Sequence, residues 1–204
     1  AKVDPLRYGP GPEIRERLEK ATPEEKLELN PWFHVVNRGK LDGTLNLKNP
    51  KGIDLLKGLI AQSDVVLDNF TPGVLDRMGL GYSALCHIRP DIILVSLSSS
   101  GQHGPLKDVR AYASTLAALC GIDSVIGYHD EDVPGQARFA YCDMNASIHG
   151  ALAVLIALLY RNHSGRGQYV DISQWETTTG LLGEAIMDYV MNGRVWGPQG
   201  NRHP

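Results

Sequence analysis

Two hydrophobic patterns alternate along the chain. Short, unbroken apolar runs bounded by charge occupy 64–68 (DVVLD) and 91–98 (DIILVSLS), the length and composition of strands buried on both faces. Longer stretches repeat their apolar residues every three or four positions and predict helices. One covers 50–62, with Pro50 at its start and Ile53, Leu55, Leu56, Leu59 and Ile60 along it. A short helix to Met78 follows the loop Asn69-Phe70-Thr71-Pro72-Gly73, another covers 83–88 and stops before Pro90, and a small-residue helix covers 112–120. Strands alternating with helices predict a parallel, doubly wound sheet. The polar loop 99–105 then stands at the carboxyl end of the second strand, where open α/β sheets bind ligands.

The most structured unit is 140–174. Ile148, Ala151, Leu152, Leu155, Leu158 and Leu159 share one helical face, and Ala153, Val154, Ile156 and Ala157 make the other face apolar too. A helix of this kind is expected to be buried on several sides. Asp143 and Asn145 are N-cap candidates, and Gly165 and Gly167 bracket the end. The run 169–173 alternates as a strand, with Val170 and Ile172 on one face. A last amphipathic helix is expected over 175–191, followed by a coil from 193 to 204. Near the start, 1–12 reads as a strand end running into a proline-broken loop, 13–29 as a charged helix interrupted at Pro23, and Thr44-Leu45-Asn46-Leu47 alternates like a strand.

Composition narrows the function classes. The 204 residues are 43% apolar and 21% charged, as in soluble globular domains. A net charge of −3 with no basic stripe argues against a nucleic-acid partner. Three cysteines, Cys86, Cys120 and Cys142, are an odd number without CxxC spacing, which argues for a reducing, cytoplasmic setting and against a disulfide framework or zinc site. No run approaches about 20 uninterrupted apolar residues, so no membrane span is expected. There is no GxGxxG after a strand, no P-loop, no GxSxG around Ser96–Ser100 and no paired histidines. The acidic loop with His129, Asp130, Glu131 and Asp132 reads as solvated rather than as a metal cage. Starting at Ala1 without a methionine, the chain is expected to be a fragment or trimmed form. By itself Asp143 is either a helix cap or a carboxylate placed for chemistry.

Five blocks together are more specific: NRGKLDGTLNLKNPKG (37–52), SDVVLDNFTPGVLDRMGLGY (63–82), RPDIILVSLSSSGQHGP (89–105), CDMNASIHGALAVLIALLYR (142–161) and SGRGQYVDISQWE (164–176). In this order and spacing they resemble the class III CoA-transferase family, which includes formyl-CoA, carnitine and benzylsuccinate CoA-transferases and the related α-methylacyl-CoA racemases. The resemblance implies an α/β fold: a Rossmann-like parallel sheet with helices on both faces, forming the large domain of a longer chain. Residues 1–192 would be that domain, lacking its first βα unit, and 193–204 the start of a linker to a smaller second domain. It also implies two chains interlocked like links, a homodimer, with heteromeric pairs known in the family.

The chemistry that the resemblance implies is transfer of CoA from an acyl-CoA to a free carboxylic acid, with coenzyme A as the carried group and no metal. Asp143 stands where the transferases carry the aspartate that attacks the thioester. Asn69 and Phe70 would lie against CoA, and Arg77 and Arg110 would face its phosphates, with Lys48 and Arg38 as further cations. Asn145 is a polar neighbour of the aspartate, and Ser147 replaces a glycine common in transferases, which narrows the expected pocket. Where racemases have a histidine, this chain has Arg110-Ala111-Tyr112, which weakens the racemase or epimerase alternative. The blocks 173–176, 183–194 and 200–204 are most similar to the benzylsuccinate branch, implying succinyl-CoA as donor and an aryl- or alkyl-substituted dicarboxylate as acceptor. A third reading is a non-catalytic CoA-binding subunit of a heteromeric transferase.

Overall fold

The computed structural model describes residues 31–128 and 140–202, with positions 19, 21–23 and 25. The expectations for 1–12, for most of 13–29 and for the acidic loop at 129–132 fall outside these residues. The chain divides into two units between Ile53 and Asp54.

In the first unit, α1 (Pro31–Val36) ends in a turn where Asn37 donates to the Phe33 carbonyl from both its backbone N–H (3.1 Å) and its side chain (2.9 Å). The expected strand at 44–47 does not form. Instead Asn46 builds a turn: its carbonyl accepts the Asn49 N–H at 3.0 Å, and its side chain accepts the Lys48 N–H at 3.1 Å. Local side-chain bonding of this kind competes with a ladder, and no partner strand stands beside it among the described residues. The helix α2 (Pro50–Ala61) then begins at Asn49, whose side chain accepts the Lys51 N–H at 3.0 Å.

The second unit is built on three parallel strands in the order β1 (Val65–Asp68), β2 (Ile93–Ser98), β3 (Tyr169–Ser173). Leu94 pairs with Val66 on one side and Tyr169 on the other. All six residues of β2 are buried, as its unbroken apolar run predicts. Its alternation separates two environments. Ile93, Val95 and Leu97 join Ile172 in the main core cluster, each burial being worth about 1.5–3 kcal/mol. Leu94 and Ser96 face the other way, into a cavity. The helices α3 (Val74–Arg77) and α4 (Tyr82–Ile88) link β1 to β2. Tyr82 of α4 stacks on Tyr169 of β3, centroids 5.7 Å apart, so helices lie on both faces of the sheet. After β2 come α5 (Ala113–Cys120) and, beyond residues 129–139, α6 (Tyr141–Ser164).

α6 is not buried on several sides as its all-round apolarity leads one to expect; one face is covered. Ala146 and Ala157 are buried against the sheet, with Ala153, Val154 and Leu158 beside them. Ile148 and Leu155 are 69% and 64% exposed, and Leu152, Ile156 and Leu159 are exposed as well. The cause is steric. A stripe of small residues lets the helix axis approach the sheet, and a Cβ on Gly150 would stand 3.0 Å from the Leu97 side chain. The helix is long and apolar enough to cross a membrane, yet its small-residue face is the one that covers β2. Its start is also earlier than expected. Ala140 occupies the cap position without a side-chain bond, and Asp143 lies in the first turn rather than at the cap. Asn145 is a buried helical residue, also not a cap. The end is as expected, with Gly165 as C-cap donating to the Arg161 carbonyl at 2.8 Å.

Gly167 is required by close approach: a Cβ there would strike the Ile92 carbonyl and the Asp91 backbone. This contact seats the lead-in to β3, where the Leu94 N–H donates to the Gln168 carbonyl at 2.9 Å. At the same amino-terminal edge Arg89 and Arg161 both bind Asp64 (2.8 and 3.1 Å) and both pair with Asp91 (3.0 and 3.6 Å). The arginines hold the Asp91 carboxyl below its ordinary pKa, mainly through the Arg89 hydrogen bond.

The single helix expected over 175–191 is broken into α7 (Gln174–Thr179), a 3₁₀ turn (Gly180–Leu182) and α8 (Gly183–Asn192). Thr177, Thr178 and Thr179 turn their hydroxyls back onto the carbonyls of Gln174 or Trp175 at 2.8–3.0 Å, and glycines follow at 180 and 183. Both features weaken a helix. The coil after Asn192 is tied down by buried Asp188, which accepts from Asn192 (2.6 Å), Arg194 (2.9 Å) and the Trp196 indole (2.7 Å).

Candidate active site

The candidate functional residues gather at the carboxyl ends of the strands. Asp68, the last residue of β1, is buried and accepts two bonds: the Ser96 hydroxyl at 2.6 Å and the Phe70 N–H at 2.9 Å. This turns the chain sharply, so that Asn69 and Phe70 stand exposed at the edge. The Phe70 carbonyl accepts the Gln102 amide at 3.1 Å, joining the loop after β1 to the loop after β2. Gly73 continues the turn with φ of +73°, and the Arg77 guanidinium lies over it, 2.9 Å from where a Cβ would be.

Between these loops lies a cavity of about 540 Å³. Its floor is Leu94, Ser96 and the stacked Tyr82 and Tyr169; its rim carries Arg77 and Lys107. A smaller cavity of about 180 Å³ shares Arg77 and Lys107 and adds Arg110. Three cations therefore converge on one edge, with Asp76 and Asp108 beside them. The arrangement suits a ligand with several anionic oxygens. Burial pushes the Tyr82 phenol up to about 12, helped by its contact with Cys86, and burial also raises Tyr169. Both rings are thus neutral donors at neutral pH.

The loop after β2 is fastened from β3. Asp171 accepts the Gln102 N–H with both oxygens at 2.9 Å and contacts His103 Nδ1 at 3.2 Å. His103 stands edge-on to Tyr169 and lines both the large cavity and a second one of about 400 Å³.

Asp143 approaches the same edge from the other face. Because α6 runs back from its start to feed β3, its first turn lies at the carboxyl end of β2, about two turns before the close approach of Gly150 to Leu97. Asp143 is open to solvent, but partial desolvation raises its carboxyl pKa. The favourable field of a helix N-terminus is outweighed. Neighbouring Cys142 is buried, and its thiol is pushed up by burial despite a hydrogen bond with Thr178 of α7.

Arg77 and Arg110 are thus brought together, with Phe70 tied to them through Gln102. Asn69 and Phe70 flank the large cavity without lining it, and Asp143 lines neither it nor the 400 Å³ one. Lys48 and Arg38 are exposed residues of the first unit. Asn145 is buried, its Nδ2 without a partner among the described residues, and Ser147 donates to the Asp143 carbonyl at 2.7 Å. Tyr112 is 87% exposed at the start of α5. The residues missed from sequence are Lys107, Tyr82, Tyr169 and the positioning carboxylates Asp68 and Asp171. Only Lys107 offered a signal, its cationic neighbourhood with Arg110; the others meet through tertiary pairing.

Comparison with known proteins points to one family. The model of CoA-transferase family III matches residues 2–204. A succinyl-CoA–D-citramalate CoA-transferase from Chloroflexus aurantiacus is 35% identical over 85% of this chain and 43% of its own length. The beta subunit of a succinyl-CoA–L-malate CoA-transferase from the same organism is also 35% identical, over 85% of this chain and 43% of its own. The chain therefore spans less than half the length of these relatives. Among solved structures, a CAIB/BAIF family protein from Brucella suis superposes with a TM-score of 0.80 at 31% identity, covering 85% of this chain and 46% of that one.

Proposed function

The chain belongs to CoA-transferase family III, and from that premise we propose that it carries the CoA-binding edge and the nucleophile of a transferase that moves CoA from an acyl-CoA to a free carboxylic acid. The observation that carries the reading is the pairing of a partly desolvated aspartate in the first turn of α6 with a three-cation cavity on the same sheet edge. Arg77, Arg110 and Lys107 take the phosphates; Asn69 and Phe70 lie along the cofactor.

Asp143 attacks the thioester carbonyl, forming a mixed anhydride and releasing CoA thiolate. The thiolate attacks the aspartyl carbonyl, giving an aspartyl-CoA thioester and the donor acid as carboxylate. The acceptor carboxylate attacks that thioester, and the released thiolate then takes the new acyl group, restoring Asp143. Every intermediate keeps its carbonyl activated, so no step needs an external energy source. The relatives' names favour succinyl-CoA as donor and a dicarboxylate, here alkyl- or aryl-substituted, as acceptor. The exposed apolar face of α6 supports assembly with a second chain, a homodimer or, as the beta-subunit relative suggests, a heteromer.

Mass spectrometry after incubation with acyl-CoA and hydroxylamine tests the mechanism. A hydroxamate at Asp143, lost in Asp143→Ala, is expected. Acyl-CoA binding without any adduct or CoA exchange overturns catalysis and leaves a binding subunit. Deuterium wash-in at the α-carbon without CoA exchange selects a racemase.

A further inference from the structure

The 400 Å³ cavity beside the cation-lined one has a different chemistry. Pro105, Leu106 and Trp175 form an apolar wall, Glu176 is its acidic group, and among the described residues no lysine or arginine lines it. Ser100 also lines it; the residue is 8% exposed, and its hydroxyl has no partner among the described residues. The cavity opens at the carboxyl ends of β2 and β3 and meets the large cavity at His103, which Asp171 holds in place. One wall residue links it to the start of α6 through packing. Trp175 packs into the cluster containing Cys142, the residue before Asp143.

We propose that the Trp175 cavity is the subsite for the uncharged alkyl or aryl part of the acyl group. This rests on the CoA-transfer reading and adds to it a choice of substrate. A ligand whose phosphates sit at Arg77, Lys107 and Arg110 passes His103 before it reaches Trp175, so the cavity receives the end of the molecule remote from the nucleotide. Apolar walls reward the burial of hydrocarbon. The lone Ser100 hydroxyl provides one hydrogen bond for the thioester oxygen or a neighbouring polar atom. Glu176, with no cation to offset it, repels a carboxylate. A succinyl tail therefore gains nothing here, whereas a phenyl or alkyl tail does.

Tryptophan fluorescence titrations of the full-length protein with CoA, butyryl-CoA, 3-phenylpropionyl-CoA and succinyl-CoA test this. Affinity should rise from CoA through butyryl-CoA to 3-phenylpropionyl-CoA by on the order of tenfold, the scale of one or two buried methylene groups, with succinyl-CoA no tighter than CoA. Trp175→Ala should erase the gain while CoA itself still binds, with affinities for this variant read by calorimetry. Leu106→Ala, on an exposed loop position, should reduce the gain without touching the core. Equal affinities across the series, or a gain that survives both variants while CoA binds, overturn this subsite and leave CoA binding standing. If CoA does not bind at all, the CoA-transfer reading falls and the subsite with it.

Discussion

Asp143 combines two opposed demands. Partial desolvation raises its pKa above the ordinary 3.8, so the ionised form is disfavoured in the folded chain. The sign follows: above the unfolded pKa the charge costs stability, and that cost is relieved as pH falls through the raised value. Asp143→Asn should therefore not lower the melting temperature at neutral pH, while reducing kcat roughly ten-thousand-fold, the scale of losing a covalent nucleophile. Calorimetry and CoA-exchange assays on the same preparation check both. For the wild type, the acid limb of kcat/KM should lie above the ordinary carboxylate value, measured across pH 3–7. On the cation edge, Arg77→Ala and Lys107→Ala should each weaken CoA binding about tenfold, as expected for loss of a charge-assisted phosphate contact, with titration calorimetry as the measure.

At the scale of elements, the strands are held by contacts that side-chain pattern does not express. Gly167→Ala would drive a methyl group into the Ile92 carbonyl. It should cost about 1–3 kcal/mol in urea unfolding, as overpacking does, despite replacing one small residue with another. The coil after α8 depends on Asp188, whose carboxyl is held below its ordinary pKa by hydrogen bonds from Asn192, then Trp196 and Arg194. A depressed carboxylate contributes stability that is present above the unfolded pKa and lost as pH falls through the folded one. Trp196 fluorescence should therefore change on acidification only below about pH 4, and Asp188→Asn should show the released signal already at neutral pH. β2 was legible because burial on both faces demands an unbroken apolar run; β1 carries the same kind of run and forms a strand, but it is only partly buried and Leu67 is 60% exposed, against the expectation of burial on both faces. The break at 180–183 was not legible, because three threonine hydroxyls end α7 and none disturbs the hydrophobic spacing.

At the scale of the whole molecule, the α6 surface sets the behaviour in solution. Ile148, Leu152, Leu155, Ile156 and Leu159 are all more than half exposed, an apolar stripe on one helix. Stripes of this kind mark association surfaces. Sedimentation velocity should show concentration-dependent association, reduced by Leu155→Lys. The site is legible in part for a related reason. Asp143, Arg77 and Arg110 were named from the family resemblance, whereas Tyr82, Tyr169 and Asp171 join the site through strand register and ring stacking over long sequence separations.

Local periodicity by itself determined the strands β1 to β3 and most of the helices, and their alternation pointed to a parallel sheet, because periodicity is a property of neighbours along the chain; the cationic and carboxylate candidates came from the resemblance of whole blocks to a family. Tertiary structure decided which face of α6 is buried, since a helix apolar all round turns toward the sheet the side that packs closest, here the small-residue side. It also decided that Asp143 is a first-turn residue rather than a cap, partly desolvated by its surroundings, and that His103 stands between two cavities of unlike chemistry. Those outcomes depend on which residues distant in sequence compete for the same space, and only the folded chain resolves that competition.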